Sequence, residues 1–131
     1  MAGIGYREGS IRILIADDSE AVRRALKDLL DEDSRGWEIC GEVESGPDAL
    51  EKVTKLLPDV LLLDVSIPLL HGVTVAQVVR RDYPDVRVVL MSEQDASVLS
   101  RLAEVAGTPY HIAKSRMAVD LIPLLLSSGK T

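Results

Sequence analysis

The feature that most constrains this chain is a short apolar run, Val60-Leu61-Leu62-Leu63, that ends on a carboxylate, Asp64. Pro58-Asp59 bounds it on one side, and a loop containing Pro68 and Gly72 follows it. No polar residue alternates within the run, so neither face is marked as wet, which reads as a strand buried on both faces. Such strands belong to parallel sheets covered by helices. Asp64 then stands at the carboxyl end of a central strand, the edge at which open α/β sheets bind ligands. Pro68 fixes φ in the following loop, and Gly72 allows φ to be positive. Taken alone, Asp64 would serve equally well as the cap of the next helix. The absence of Phe requires an aliphatic core, which suits a Val/Leu/Ile parallel sheet better than an aromatic-rich sandwich.

The rest of the chain alternates in the same way. Residues 1–10 form a short Gly-rich leader, whose glycines precede the first strand and so make no dinucleotide fingerprint. Residues 11–16 are the first strand, ending in Asp17-Asp18. Ser19 is the N-cap of a helix running to about residue 31, with Val22, Leu26, Leu29 and Leu30 on one face. Residues 37–43 are an edge strand with Trp37, Ile39, Gly41 and Val43 on one side and Glu38, Cys40 and Glu42 on the other. Ser45-Gly46-Pro47 turns into a short helix carrying Ala49, Leu50, Val53, Leu56 and Leu57. After the strand at 60–63 come a helix at 73–82, a strand at 86–91 ending in Ser92, and a helix at 95–106. That helix is expected to bury Val98, Leu99, Leu102 and Val105. A fifth strand, 110–113, ends in Lys114, and a last helix, 116–128, points Met117, Leu121, Leu124 and Leu125 inward. Pro123 interrupts it and should kink it or leave a backbone carbonyl free. Strands and helices in alternation, joined by right-handed crossovers, give a doubly wound five-stranded parallel sheet of the α/β class. One domain, 11–128, is expected, with 129–131 as a tail.

Charge and cysteine content narrow the function classes. A formal net charge of −6 argues against direct nucleic-acid binding by this domain, which would need a Lys/Arg-rich face. Cys40 is the single cysteine, so no internal disulfide forms, and it reads as a small buried apolar residue. No stretch approaches the ~20 apolar residues of a spanning helix, and no signal core opens the chain. A cytoplasmic location without membrane association is expected.

In a parallel sheet, Asp17, Asp18, Asp64, Ser92 and Lys114 converge on one rim. Carboxylates gathered there repel one another and lose hydration, which a hard divalent cation with oxygen ligands would relieve; Mg²⁺ fits. Singly, Asp17-Asp18 would cap the first helix and Lys114 would be a solvated strand-end charge. Together, a metal, a carboxylate nucleophile, a Lys and a Ser form a site for phosphoryl transfer, with an aspartyl phosphate as its product.

On the segments Ile13-Leu14-Ile15-Ala16-Asp17-Asp18, Leu61-Leu62-Leu63-Asp64 with Pro68 and Gly72, Met91-Ser92, and Ala106-Gly107 with Lys114, the chain resembles the receiver domain of two-component response regulators. Arg23-Arg24, Gly41-Glu42, Asp48-Ala49-Leu50 and Lys114-Ser115 look most like the NarL/LuxR-type subfamily. The resemblance implies a flavodoxin-like (βα)5 fold and a phosphorylation-activated signalling switch. Asp64 would accept a phosphoryl group from a sensor histidine kinase or phosphotransfer protein. Mg²⁺ would be held by Asp17, Asp18, Asp64 and the backbone carbonyl of Ser66. Ser92 and Lys114 would contact the phosphoryl oxygens, Ser92 and His111 would form the switch, and Ser66 and Gln94 would tune dephosphorylation. Such a domain is not a conventional enzyme, since it catalyses only its own phosphorylation and dephosphorylation. Output would pass through the surface of the fourth helix and fifth strand to an output domain, a target protein or a phosphorylation-dependent dimer. The chain departs from the family at Tyr110, where Gly is usual, and at His111, where the switch residue is usually aromatic. His111 also reads as an ordinary strand residue.

Two rival readings stay open. A small phosphatase with an Asp nucleophile would carry a second acid two residues on, where this chain has Ser66. A receiver-like interaction module that is not phosphorylated fits Tyr110 and His111 but leaves the acidic cluster without a use.

Overall fold

The computed structural model describes residues 10–128. The expected leader, apart from Ser10, and the expected tail lie outside the described residues.

Strands β1 (Arg12–Ala16), β2 (Glu38–Val43), β3 (Val60–Asp64), β4 (Arg87–Ser92) and β5 (Tyr110–Ala113) form one sheet in the order β2-β1-β3-β4-β5. All neighbours are parallel. The helices between them are α1 (Glu20–Glu32), α2 (Gly46–Leu56), α3 (Gly72–Asp82) and α4 (Ala96–Ala106). A 3₁₀ turn at Lys114–Arg116 leads into α5 (Met117–Ser128). This is the doubly wound arrangement expected from the alternation, with the strand order reversing between β1 and β3. Every residue of β3 is buried, as a central strand requires. Leu14, Leu61, Leu63, Val88 and Leu90 face α2, α3 and α4, while Ile13, Ile15, Val60, Leu62 and Val89 face α1 and α5. Ser19 caps α1 by accepting from the Val22 N–H, and Ser45 caps α2 by accepting from the Asp48 N–H.

Cys40, expected to be buried, is only half-buried, because the edge strand that carries it is covered incompletely. Two further side-chain placements differ from expectation. Strand β2 does not alternate cleanly, because its register with β1 jumps from Ile13↔Ile39 to Leu14↔Gly41, leaving Cys40 as the extra residue of a bulge. A bulge reverses the phase of alternation beyond it. Trp37 and Ile39 therefore pack on the α1/α5 side, whereas Cys40 and Val43 pack on the α2 side. At Gly41 an added Cβ would sit 3.1 Å from Leu56 Cδ1 and 3.2 Å from Leu14 Cδ1, so the α2 helix closes over that position. Glu42 is left facing α1, where it meets Arg23 and Lys27.

The second difference is α4, which buries Leu99, Ala103 and Ala106 and leaves Val98 and Val105 exposed. Small alanines let the helix lie close on the sheet, and residues such as Val98 and Val105 are carried off that contact by the ~100° per residue helical turn. Helix α5 buries Leu121 and Leu125, with Met117 and Leu124 partly buried, as expected, and it continues through Pro123. Proline has no N–H, so the Val119 carbonyl receives no helical hydrogen bond, and it belongs to an exposed residue.

Candidate functional site

The topology delivers the strand ends to one rim. Asp17 follows β1, Asp64 ends β3, Ser92 ends β4, and Lys114 follows β5. The ammonium of Lys114 lies 2.7 Å from Asp17 Oδ2 and 3.2 Å from Asp64 Oδ1. Asp17 is fully buried and Asp64 is 4 % exposed. Asp17, Asp18 and Asp64 each offer a carboxylate oxygen within 4.8 Å of the others.

Asp17 is hydrogen-bonded through its backbone and through Oδ1. Its N–H donates to the Val43 carbonyl at 3.1 Å, and its carbonyl accepts from Arg23 Nη1 at 2.8 Å. Its Oδ1 accepts from the Ser19 N–H at 2.9 Å, in the local loop that an Asp side chain commonly closes. Oδ2 has no hydrogen bond of good geometry, and its near neighbour is the Lys114 ammonium. Asp18, by contrast, is exposed, and among the described residues its carboxylate has neither hydrogen bond nor ion pair. Asp64 Oδ1 accepts from the Ser66 N–H at 3.3 Å in addition to its contact with Lys114.

The loop after β3 is shaped by close backbone approach. A Cβ on Gly72 would fall 2.6 Å from the Asp64 carbonyl oxygen and 2.7 Å from Val65 Cα, and the Gly72 N–H donates to the Val65 carbonyl at 2.9 Å. Only glycine fits between α3 and the strand end that carries Asp64. His71 caps α3 by accepting from the Val73 N–H on Nδ1 at 3.1 Å.

Burial, reinforced by the charge of Asp17, pushes the Asp64 carboxyl above its usual range, with Lys114 pulling the other way. For Lys114 burial alone would lower the ammonium. Its close contact with Asp17 and the charges of Asp64 and Asp17 together outweigh burial and raise it. The site therefore holds one cation against two buried carboxylates, with a third carboxylate at its mouth. An oxygen-only donor set, with Asp17 Oδ2 met by the Lys114 ammonium alone and Asp18 unpartnered among the described residues, fits a hard divalent cation.

Ser92 is 2 % exposed, and its Oγ accepts from the Gln94 N–H at 2.9 Å, leaving its own proton free to donate. His111, half-buried on β5, lines a cavity of about 210 Å³ with Ser100, Glu104 and Thr108, and no hydrogen bond joins it to Ser92. Arg23, used in the sequence reading only as a mark of subfamily, turns out to touch the site directly through the Asp17 carbonyl. No spacing rule reveals a bond to a backbone carbonyl.

Residues 13–125 match the response regulator receiver domain family. The chain belongs to that family. The receiver is 35% identical over 112 residues to the response regulator GacA of Pseudomonas viridiflava, covering 86% of this chain and 52% of that protein. It is 42% identical over 82 residues to a protein-glutamate methylesterase/protein-glutamine glutaminase of Pyrococcus abyssi, covering 63% of this chain but 22% of that protein. The receiver thus spans about half or less of these curated relatives. Among solved structures, the signal receiver domain of the response regulator NarL from Mycobacterium tuberculosis superposes with a TM-score of 0.81 at 29% identity, over 90% of this chain and 94% of that one. The NarL-type likeness read from the sequence therefore has a structural counterpart, and the flavodoxin-like expectation is met. Among the described residues, no helix is long and apolar enough to cross a membrane.

Proposed function

We propose that this receiver is a phosphorylation-activated switch in which Asp64 accepts a phosphoryl group from the phosphohistidine of a sensor histidine kinase or phosphotransfer protein. The observation that carries the reading is Lys114 spanning Asp17 and Asp64 at the topological switch of the sheet. A carboxylate oxygen of Asp64 attacks phosphorus. The P–N bond to the donor imidazole breaks, and the departing nitrogen takes the electron pair. Oδ1 is engaged by Lys114 and the Ser66 N–H, which leaves Oδ2 as the free nucleophilic oxygen.

Asp17, Asp18, Asp64 and the Ser66 carbonyl would hold Mg²⁺, which supplies charge neutralisation for the transferring group. Lys114 offers its ammonium to the phosphoryl oxygens, and the free hydroxyl proton of Ser92 donates to another. That pull on Ser92 biases the adjoining β4–α4 loop, with His111 as the partner switch position. The surface of α4 and β5 then carries the signal to an output domain, a target protein or a second copy. Ser66 and Gln94 flank the site and tune the lifetime of the aspartyl phosphate. The functional unit is residues 11–128, working in the cytoplasm.

Incubation with acetyl phosphate and Mg²⁺, read by intact mass, is expected to add one phosphoryl mass to the wild type and none to Asp64→Ala. No gain in the wild type, or an equal gain in the variant, refutes the assignment.

A further inference from the structure

Among the carboxylates of the acidic site, Asp18 is the one that no side chain or amide holds among the described residues. Its position relative to Asp17 and Asp64 is therefore set by the backbone turn that delivers it. That turn is pinned at the carbonyl of Asp17, which is the carbonyl of the Asp17–Asp18 peptide itself, by Arg23 Nη1 at 2.8 Å. Arg23 is itself held. Its Nε donates to Glu42 Oε1 at 3.0 Å, Nη2 lies 3.7 Å from Glu44 Oε2, and the side chain is 12 % exposed. Glu42 is braced in turn by Lys27 Nζ at 2.8 Å. The β2 bulge at Cys40 is what aims Glu42 toward α1 so that this brace can form.

We propose that Arg23 is a positioning residue for cation binding: its planar fork, oriented by Glu42, fixes the Asp17 carbonyl and so sets where the Asp18 carboxylate stands. The proposal rests on the Mg²⁺-dependent reading above and deepens it. Arg23 touches neither a carboxylate of the site nor a reacting atom, so it acts through the backbone alone. Two effects of Arg23 oppose each other and can be separated. Its positive charge, held on the Asp17 carbonyl, weakens cation binding. Its fork geometry strengthens binding by pre-forming the ligand set. Lysine keeps the charge but presents a point donor in place of a rigid fork. Mg²⁺ demands near-ideal octahedral geometry, whereas Ca²⁺ accepts irregular sites. Loss of positioning should therefore fall on Mg²⁺ more than on Ca²⁺, whereas a pure change in charge or global stability would move both together.

The test is titration of the full chain with MgCl₂ and separately with CaCl₂, read as the rise in thermal unfolding midpoint, for wild type, Arg23→Lys and Glu42→Gln. Both variants are expected to need roughly 10-fold more Mg²⁺ for the same midpoint rise, the scale seen when groups behind a metal ligand are removed, with a smaller change for Ca²⁺. Glu42→Gln leaves Arg23 in place and provides the measurement if Arg23→Lys fails to fold. Unchanged Mg²⁺ response in Arg23→Lys, tighter binding in either variant, or equal losses for Mg²⁺ and Ca²⁺ would overturn the proposal. A wild-type chain that does not respond to Mg²⁺ would instead sink the functional reading beneath it.

Discussion

Replacing Lys114 by methionine keeps most of the aliphatic stem and removes the ammonium that, alone among the described residues, faces Asp17 and Asp64, at 2.7 and 3.2 Å. Asp17 is fully buried and Asp64 nearly so, so the variant strands two carboxylates in a poorly hydrated rim. Deleting one partner of a buried ion pair costs about 3–5 kcal/mol. Here the Ser19 and Ser66 amides continue to hydrogen-bond Asp17 and Asp64, which favours the lower end. The expected loss is about 3 kcal/mol near neutral pH, or about 10 °C in Tm for a domain of this size. The pH dependence follows from the direction of the shifts. Asp64 in the folded wild type already sits above its unfolded value, and Lys114 is among the groups holding it down. Without Lys114 it rises further, so the folded state binds a proton more readily than the unfolded one. The deficit is then largest above the folded Asp64 pKa and shrinks as pH falls through it. Lys114 itself is raised on folding, so the wild type loses this contribution as pH climbs through its folded value, and the variant lacks that alkaline decline. Urea unfolding across a pH series measures both. A loss under about 1 kcal/mol at neutral pH, or one of equal size at every pH, would refute the reasoning.

Two further substitutions test how the loop after β3 is built. Gly72→Ala places a Cβ against the Asp64 carbonyl and Val65 Cα at 2.6 and 2.7 Å, all backbone, and should cost about 2 kcal/mol or more while slowing acetyl phosphate labelling of Asp64; denaturant unfolding and the mass assay read the two effects. His71→Asp supplies a stronger cap and a negative charge at the positive end of α3, and should add about 0.5–1 kcal/mol and slow hydrogen exchange at the Val73 amide.

Much of this protein was readable along the chain. The continuous apolar run before Asp64 marks a fully buried strand because a strand wet on one face would alternate, and the helix cap at Ser19 depends on groups three residues apart. Alternation of such elements leaves little choice of topology, and topology alone gathers Asp17, Asp64, Ser92 and Lys114. What lay beyond the sequence were the features that depend on two distant segments at once. The bulge at Cys40 exists in the pairing of β2 with β1, so its reversal of Glu42 and Val43 has no local signature. The buried side of α4 was decided by how closely the helix approaches the sheet, which favours Ala103 and Ala106 over the bulkier Val98 and Val105. The bond from Arg23 to the Asp17 carbonyl joins a side chain to a backbone atom, and residue type says nothing about backbone acceptors. Periodicity and capping are short-range and leave their mark on residue order; register, approach distance and carbonyl partners are settled only when the layers pack.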